Sequence, residues 1–291
     1  MEGCGLVQRI PGFVYPQARS DSKGESFNGC SSLREYYPPG DSDTKHNTYN
    51  GCRNMVATAE NGLEHIVHYS THNGKGVSYG QSTYSGVQAI KKGEVIIRYT
   101  SSVLNSVPNK LSGRIECAGL QCGSIFAGCT YLEEGTFKIE DLGKIKFVQE
   151  TPNLSYMFNG CRMRTLTFDP NIYANVHDNK FNMTGFVSGD YIEIIENYPL
   201  NVMSDDTVFI SGSFGSQIQE ITWAGMLEQN WNIRQLCSSM TNIPVKSIED
   251  LLKNHLATMS GAIINLGTFK SLVSEEAIRA AEAKGWTVTD R

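Results

Sequence analysis

A seven-residue phrase recurs four times in this chain: an aromatic residue, a small one, Gly, Cys, two free positions and then an apolar residue. The copies begin at Phe27 (Phe-Asn-Gly-Cys-Ser-Ser-Leu), Tyr49 (Tyr-Asn-Gly-Cys-Arg-Asn-Met), Phe126 (Phe-Ala-Gly-Cys-Thr-Tyr-Leu) and Phe158 (Phe-Asn-Gly-Cys-Arg-Met-Arg, with Leu166 as the apolar residue that follows). Self-similarity of this kind marks a chain that stacks one small unit on the next, because each unit leaves an apolar face that only its neighbour can cover. Successive copies stand 22, 77 and 32 residues apart, and the long middle interval leaves room for two further units. One of them is a faded copy at Tyr84-Ser-Gly-Val-Gln-Ala-Ile90, with Val87 in place of the cysteine.

The phrase reads as a tight corner leading into a strand. Gly permits a positive φ or a close backbone approach at the corner, and Asn before it tolerates the same geometry. Cys is small and readily buried, so it suits a narrow interior. After the third copy Phe137 and Ile139 alternate with polar residues, and after the fourth Leu166 and Phe168 do the same. That is the period of a strand with one face in and one face out.

The run Pro152-Asn-Leu-Ser-Tyr-Met-Phe-Asn-Gly-Cys161, continuing to Leu166 and Phe168, resembles the unit of BspA-type leucine-rich-repeat proteins. The C-terminus is similar to the usual ending of that family: a helix from about Ser247 to Met259, then Ile263-Ile-Asn-Leu-Gly, then Ser274-Glu-Glu-Ala-Ile-Arg-Ala-Ala-Glu-Ala-Lys-Gly-Trp-Thr-Val. The resemblance implies a mostly β chain with short helices: an irregular leucine-rich-repeat-like solenoid over 1–245 and a helix-containing cap of the same domain over 246–291. The pattern departs from the family between Gly62 and Lys110 and between Tyr173 and Ser213.

The ending can also be read from its own residues. Ser247 with Asp250 three positions on is a capping arrangement, Ile248, Leu251, Leu252, Leu256 and Met259 form one stripe, and Gly261 is placed to end the helix. A second helix begins at Ser274, with Glu275 and Glu276 in its first turn where the dipole favours acids, and stops at Lys284-Gly285. Trp286 and Val288 then alternate as a final strand. Such an ending covers the last unit's apolar surface and unpaired strand edge.

Composition bounds the function. With 28 glycines and 40% hydrophobic residues the chain reads as an ordered, turn-rich β protein, and a formal net charge of −5 offers no general attraction to nucleic acid. Lys91-Lys92 and Lys144-Ile-Lys146 are solvated pairs. No apolar run approaches the roughly 18 residues of a membrane span, so no membrane insertion is expected. The first residues lack the pattern of a secretory signal, and Cys4 lacks the apolar segment a lipidation site requires.

Cys30, Cys52, Cys129 and Cys161 occupy equivalent positions, which predicts a column of buried, structural thiols, and Cys117 and Cys122 lack the spacing of a zinc ribbon. His65, His68 and His72 form the one dense imidazole cluster; on a helix they converge on a metal, whereas Glu64-His-Ile-Val-His-Tyr reads as a strand. Asp205-Asp206 and Glu133-Glu134 are adjacent acids and not a pair across a cleft, and no phosphate-binding glycine loop is present. No catalytic, cofactor-binding or metal residue is therefore assigned, and no cofactor is expected.

The resulting expectation is a non-enzymatic recognition or structural protein. The resemblance combined with the missing signal implies a bacteriophage virion component, such as a tail, fibre or capsid-decorating protein used for host contact or assembly. The alternatives are a BspA-like bacterial cell-surface adhesin and a metal-dependent hydrolase using the His65–His72 region. Expected partners are other virion proteins or a bacterial surface protein or glycan, with homo-oligomerisation and no nucleic acid. Tyr36, Tyr37, Tyr69, Tyr79, Tyr84 and Tyr99 are the places where contacts are sought, and the stretch from Gly62 to Lys110 is where function is expected to have overwritten the repeat.

Overall fold

The computed structural model describes residues 5–6, 8–9, 27–34, 49–55, 62–69, 77–79, 84–87, 91–99, 110–111, 114–117, 119–140, 145–147, 151–172, 180–202, 208–211, 218–237 and 243–291. At 62–69, 77–79, 98–99, 110–111, 114–117, 119–121, 140 and 145–147 it describes the backbone.

The repeated phrase builds a column. The rings of Phe27, Tyr49, Tyr84, Phe126 and Phe158 stack in that order, with centroids 5.2, 5.7, 5.4 and 5.7 Å apart. Gly29, Gly51, Gly86, Gly128 and Gly160 all hold φ between 72° and 75°, a left-handed conformation that glycine adopts without steric cost. The N–H groups of Gly29, Gly51, Gly86 and Gly128 donate to the carbonyls of Asn50, Ser85, Ala127 and Asn159, the residues just before glycine in the following copy. The thiols of Cys52, Cys129 and Cys161 donate backward to the carbonyls of Phe27, Tyr84 and Phe126 at 3.0–3.1 Å. Each copy is thus tied to its neighbours through the residues that define the phrase.

Three features of the column differ from the sequence expectation. The 77-residue interval holds one unit where there was room for two: Gly51 bonds to Ser85 and Gly86 to Ala127, so the Tyr84 turn touches both neighbours directly, with Val87 buried in the thiol's place. In the fourth copy the apolar position belongs to Met163 and not to Leu166. Glu134 pairs with Thr165, so Leu132 and Met163 both stand two residues ahead of paired positions, and both are buried. The column also continues beyond the last Gly-Cys, because Phe158 N–H donates to Phe186 O, and the Phe186 and Phe209 rings stack at 5.4 Å. There the sequence reads Phe-Val-Ser-Gly and Phe-Ile-Ser-Gly, keeping the ring and losing the thiol.

The turns feed one parallel sheet. Its strands, in spatial order, are β1 (Gly62–Tyr69), β3 (Lys92–Tyr99), β7 (Glu134–Glu140), β9 (Thr165–Phe168), β11 (Ile194–Pro199) and β13 (Glu220–Ala224). Their inward side chains, among them Val95, Ile97, Phe137, Ile139, Leu166, Phe168, Ile195, Ile221 and Trp223, are buried against the column. The first inward position of β3 and of β7 is glycine because the next unit already fills the space. A Cβ on Gly93 would lie 2.8 Å from Leu132 Cδ1, and one on Gly135 2.6 Å from Met163 Cε. The stretch from Gly62 to Lys110 therefore supplies two strands and a regular turn of the same array.

Short accessory strands pair elsewhere: β2 (Val77–Tyr79) with β6 (Gly119–Gln121), β5 (Arg114–Cys117) with β4 (Lys110–Leu111) and β8 (Ile145–Phe147), and β10 (Val187–Ser188) with β12 (Ile210–Ser211). At the C-terminal end β14 (Trp231–Asn232), β15 (Ala262–Asn265) and β16 (Trp286–Thr289) form a separate parallel sheet, with helices α1 (Val245–Asn254) and α2 (Glu275–Ala283) beside it. Among the described residues the architecture is mixed, with a parallel sheet, small accessory sheets and two α-helices.

The helix expectations were half right. α2 starts at Ser274, whose Oγ accepts from Ala277 N–H, carries Glu275 and Glu276 in its first turn, and ends before Gly285; Trp286 and Val288 are buried in β16 as expected. In α1, however, Ser247 is not the cap. Pro244 holds that position without a side-chain bond, and Ser247 is buried inside the helix. Its Oγ accepts from Ile221 N–H at 3.0 Å, and its carbonyl accepts from Trp223 Nε1 at 2.8 Å. The serine thus satisfies a backbone donor of β13, the last strand of the six-stranded sheet. The helix also ends at Asn254, and Leu256 bridges to Leu227 in extended conformation instead of prolonging the stripe.

Candidate interaction surface

Parallel sheets are ordinarily covered on both faces, because their crossover connections lie on both sides. Here one face is buried against the column, and the other is solvent-facing and polar at most described positions. In register across the strands the outward residues run Lys92, Glu134, Thr165, Ile194 and Glu220 in one row and Glu94, Thr136, Thr167 and Glu196 in the next, with Thr222 outward on β13. Ile96 is the buried exception on this side of β3.

The charges on this face are arranged in pairs between strands. Lys92 Nζ lies 2.8 Å from Glu134 Oε2, and Lys138 pairs with Glu94. Thr167 Oγ1 donates to Glu196 Oε2 at 2.8 Å. In β11, Asn197 takes a positive φ where the register shifts, and its N–H donates to Thr222 Oγ1 while its Nδ2 donates to Phe168 O. The face is an array of hydroxyl, carboxylate and ammonium groups. The exposed Lys92–Glu134 pair adds little to stability.

Along the side where the strands begin, a rim of exposed residues adjoins the face. It carries Tyr131, Arg162 and Tyr191, then Glu133 and Arg164, with the half-buried Glu193 beside them, its Oε1 3.8 Å from Arg164 Nε.

Among the tyrosines singled out in the sequence, Tyr84 is not a surface residue: it is fully buried in the ring column, where its hydroxyl-bearing ring stacks between Tyr49 and Phe126. Tyr69, Tyr79 and Tyr99 lie on strands described by backbone only, with Tyr69 the register partner of Tyr99, and Tyr36 and Tyr37 lie outside the described residues. Among the described residues the exposed tyrosines are Tyr131, Tyr156 and Tyr191, in the more regular half of the chain. Sequence reading missed them because Tyr131 and Tyr191 look like loop filler until their units are aligned; the signal was that each directly precedes an inward apolar residue.

His65 and His68 fall on β1, opposite Val95 and Arg98, so the helical spacing that would bring them together is not adopted; His72 lies outside the described residues. Among the described residues no group of three His, Cys, Asp or Glu side chains converges to hold a metal. Burial pushes the thiols of Cys52 and Cys161 up to about 12, and that of Cys129 well above its ordinary value. A thiol held protonated among stacked rings and bonded to a carbonyl is poorly placed for attack on a substrate. Among the described residues no helix is long and apolar enough to cross a membrane.

Comparison with known protein families, with curated proteins and with solved structures finds no match to this chain.

Proposed function

We propose that this chain is a non-enzymatic recognition protein, an irregular leucine-rich-repeat-like solenoid of the BspA type whose working surface is the open polar face of its parallel sheet. The observation that carries the reading is that face. At the described inward positions one side of the sheet is committed to the core, while the other presents paired charges and hydroxyls in register from strand to strand. The solenoid reading is supported by the column of rings, left-handed glycines and thiol bonds, in which each unit contacts its neighbours through equivalent residues. Surfaces of this kind recruit side chains from successive units and bind broadly instead of enclosing a small ligand.

The resemblance supplies the carrier: a bacteriophage virion, in which the protein is a tail, fibre or capsid-decorating component assembled as a homo-oligomer and meeting other virion proteins or a bacterial surface protein or glycan. Quantitative mass spectrometry of purified particles tests this. A constant number of copies per particle is the expected result. Recovery from the envelope of bacterial cells, and not from particles, would move the carrier to the adhesin alternative; recovery from neither would overturn the reading.

A further inference from the structure

The rim beside the open face has a register of its own. Tyr131, Arg162 and Tyr191 each stand three residues ahead of the mutually paired positions Glu134, Thr165 and Ile194, and each is followed at once by a buried residue, Leu132, Met163 or Ile192. They therefore occupy equivalent positions just ahead of three successive strands. All three are exposed, Tyr131 by 56% and Tyr191 by 43%. The Arg162 guanidinium carbon sits 5.8 Å from the centre of the Tyr191 ring. Arg162 forms no ion pair among the described residues, whereas Arg164, Lys92 and Lys138 are each matched with a carboxylate.

Beside the row, Arg164 N–H donates to Glu133 O and Glu193 N–H donates to Arg164 O, so the backbone that carries it is tied between neighbouring units. The row itself offers two amphipathic rings and a cation without an ion-pair partner among the described residues. Neighbouring strands lie about 4.8 Å apart, so the starts of the two strands that the tyrosines lead into are about 9.5 Å from each other, a span comparable with two consecutive hexose rings. A ligand that matches is linear, offers a flat C–H face at every second residue, and carries negative charge between.

We propose that the Tyr131–Arg162–Tyr191 row binds a linear polysaccharide bearing carboxylates. The two phenol rings lie against the faces of alternate sugars, and the guanidinium takes the carboxylate of the sugar between them in a charge-assisted contact. The proposal rests on the recognition reading above and names its ligand class.

The test is isothermal titration calorimetry with oligomers of polygalacturonate, alginate and hyaluronate, with methyl-esterified polygalacturonate and dextran as uncharged probes. Retention of the protein on intact bacterial cells is followed in parallel. The expected result is binding to at least one carboxylated polymer and to neither uncharged probe, weakened tenfold or more by Arg162→Ala and by the double change Tyr131→Ala with Tyr191→Ala, with unchanged melting temperatures. Binding that survives both variants, or no affinity for any of the three acidic polymers, overturns the proposal. If the acidic polymers fail while cells still retain the protein through a protease-sensitive partner, the glycan inference falls and the recognition reading stands. If neither the acidic polymers nor any cell bind the protein, both fall.

Discussion

Replacing Ser247 with alanine removes one oxygen from the junction between the sheet and its C-terminal neighbour. Ile221 N–H, on the outer edge of β13, finds its acceptor in the Ser247 hydroxyl at 3.0 Å, in a place almost closed to water. Without that oxygen a buried backbone donor is left unpaired, which costs about 1–3 kcal/mol. Alanine recovers about 0.5 kcal/mol of helix propensity. The carbonyl of residue 247, which accepts from Trp223 Nε1 at 2.8 Å, stays in place, so only half of the junction is lost. The net expectation is a destabilisation of roughly 1–2 kcal/mol, read by urea unfolding through tryptophan fluorescence and accompanied by faster amide exchange at Ile221. Ser271→Ala, which removes an exposed local bond to Thr268 O, serves as the control and should move stability by less than about 0.5 kcal/mol. Ser247→Ala indistinguishable from that control, with Ile221 exchange unchanged, would refute the idea that α1 satisfies the sheet's last edge.

Gly285 holds φ +85, and a Cβ there would lie 2.0 Å from Met259 O, so Gly285→Ala should destabilise the protein by about 3 kcal/mol or more, beyond the 1–2 kcal/mol of left-handed strain alone; an unaltered thermal melt would contradict this. Phe186 is buried against Phe137, Phe158, Phe168 and Phe209, and Phe186→Ala should cost about 3–5 kcal/mol in chemical unfolding. A cost below 1 kcal/mol, on the order of a surface change, would mean that the column ends at Phe158. The raised thiols predict alkaline sensitivity. Cys52 and Cys161 keep their protons up to about 12 when folded but lose them from about 9 when unfolded, so their contribution is complete below pH 9 and is lost as pH rises toward 12. A melting temperature that stays flat across that window, or rapid alkylation of the native protein at pH 8, would count against buried thiols.

Much of this architecture was legible because the phrase states its own physics. A glycine that must turn left-handed, a thiol small enough to reach the carbonyl of the unit before it, and a ring that stacks on the next ring cannot easily be exchanged, so they recur as letters. Where the thiol is dispensable the letters fade: Phe186 and Phe209 keep the ring, but Ser-Gly follows in place of Gly-Cys, and only the matching pair Phe-Val-Ser-Gly and Phe-Ile-Ser-Gly signalled them. Ser247 misled because a serine three residues before an acid resembles a cap, while Pro244 just ahead held the true boundary. The open face was not legible. Thr136, Thr167 and Glu196 look like the outward residues of any half-buried strand until pairing sets them side by side, and pairing is a long-range property. Tyr131 and Tyr191 were missed for the same reason, whereas Tyr84, prominent in a polar stretch, is a core residue of the column.

The most direct test of the proposal that the open sheet face is the working surface is retention of the purified protein on intact cells of a panel of bacteria. Thr136→Arg combined with Thr167→Arg disrupts the face without touching the core, and Glu282→Arg places the same added charge on the exposed side of α2. Saturable retention of the wild type and of Glu282→Arg, with at least tenfold loss in the face variant at an unchanged melting temperature, is the predicted result. Equal retention of the face variant and the wild type would contradict it.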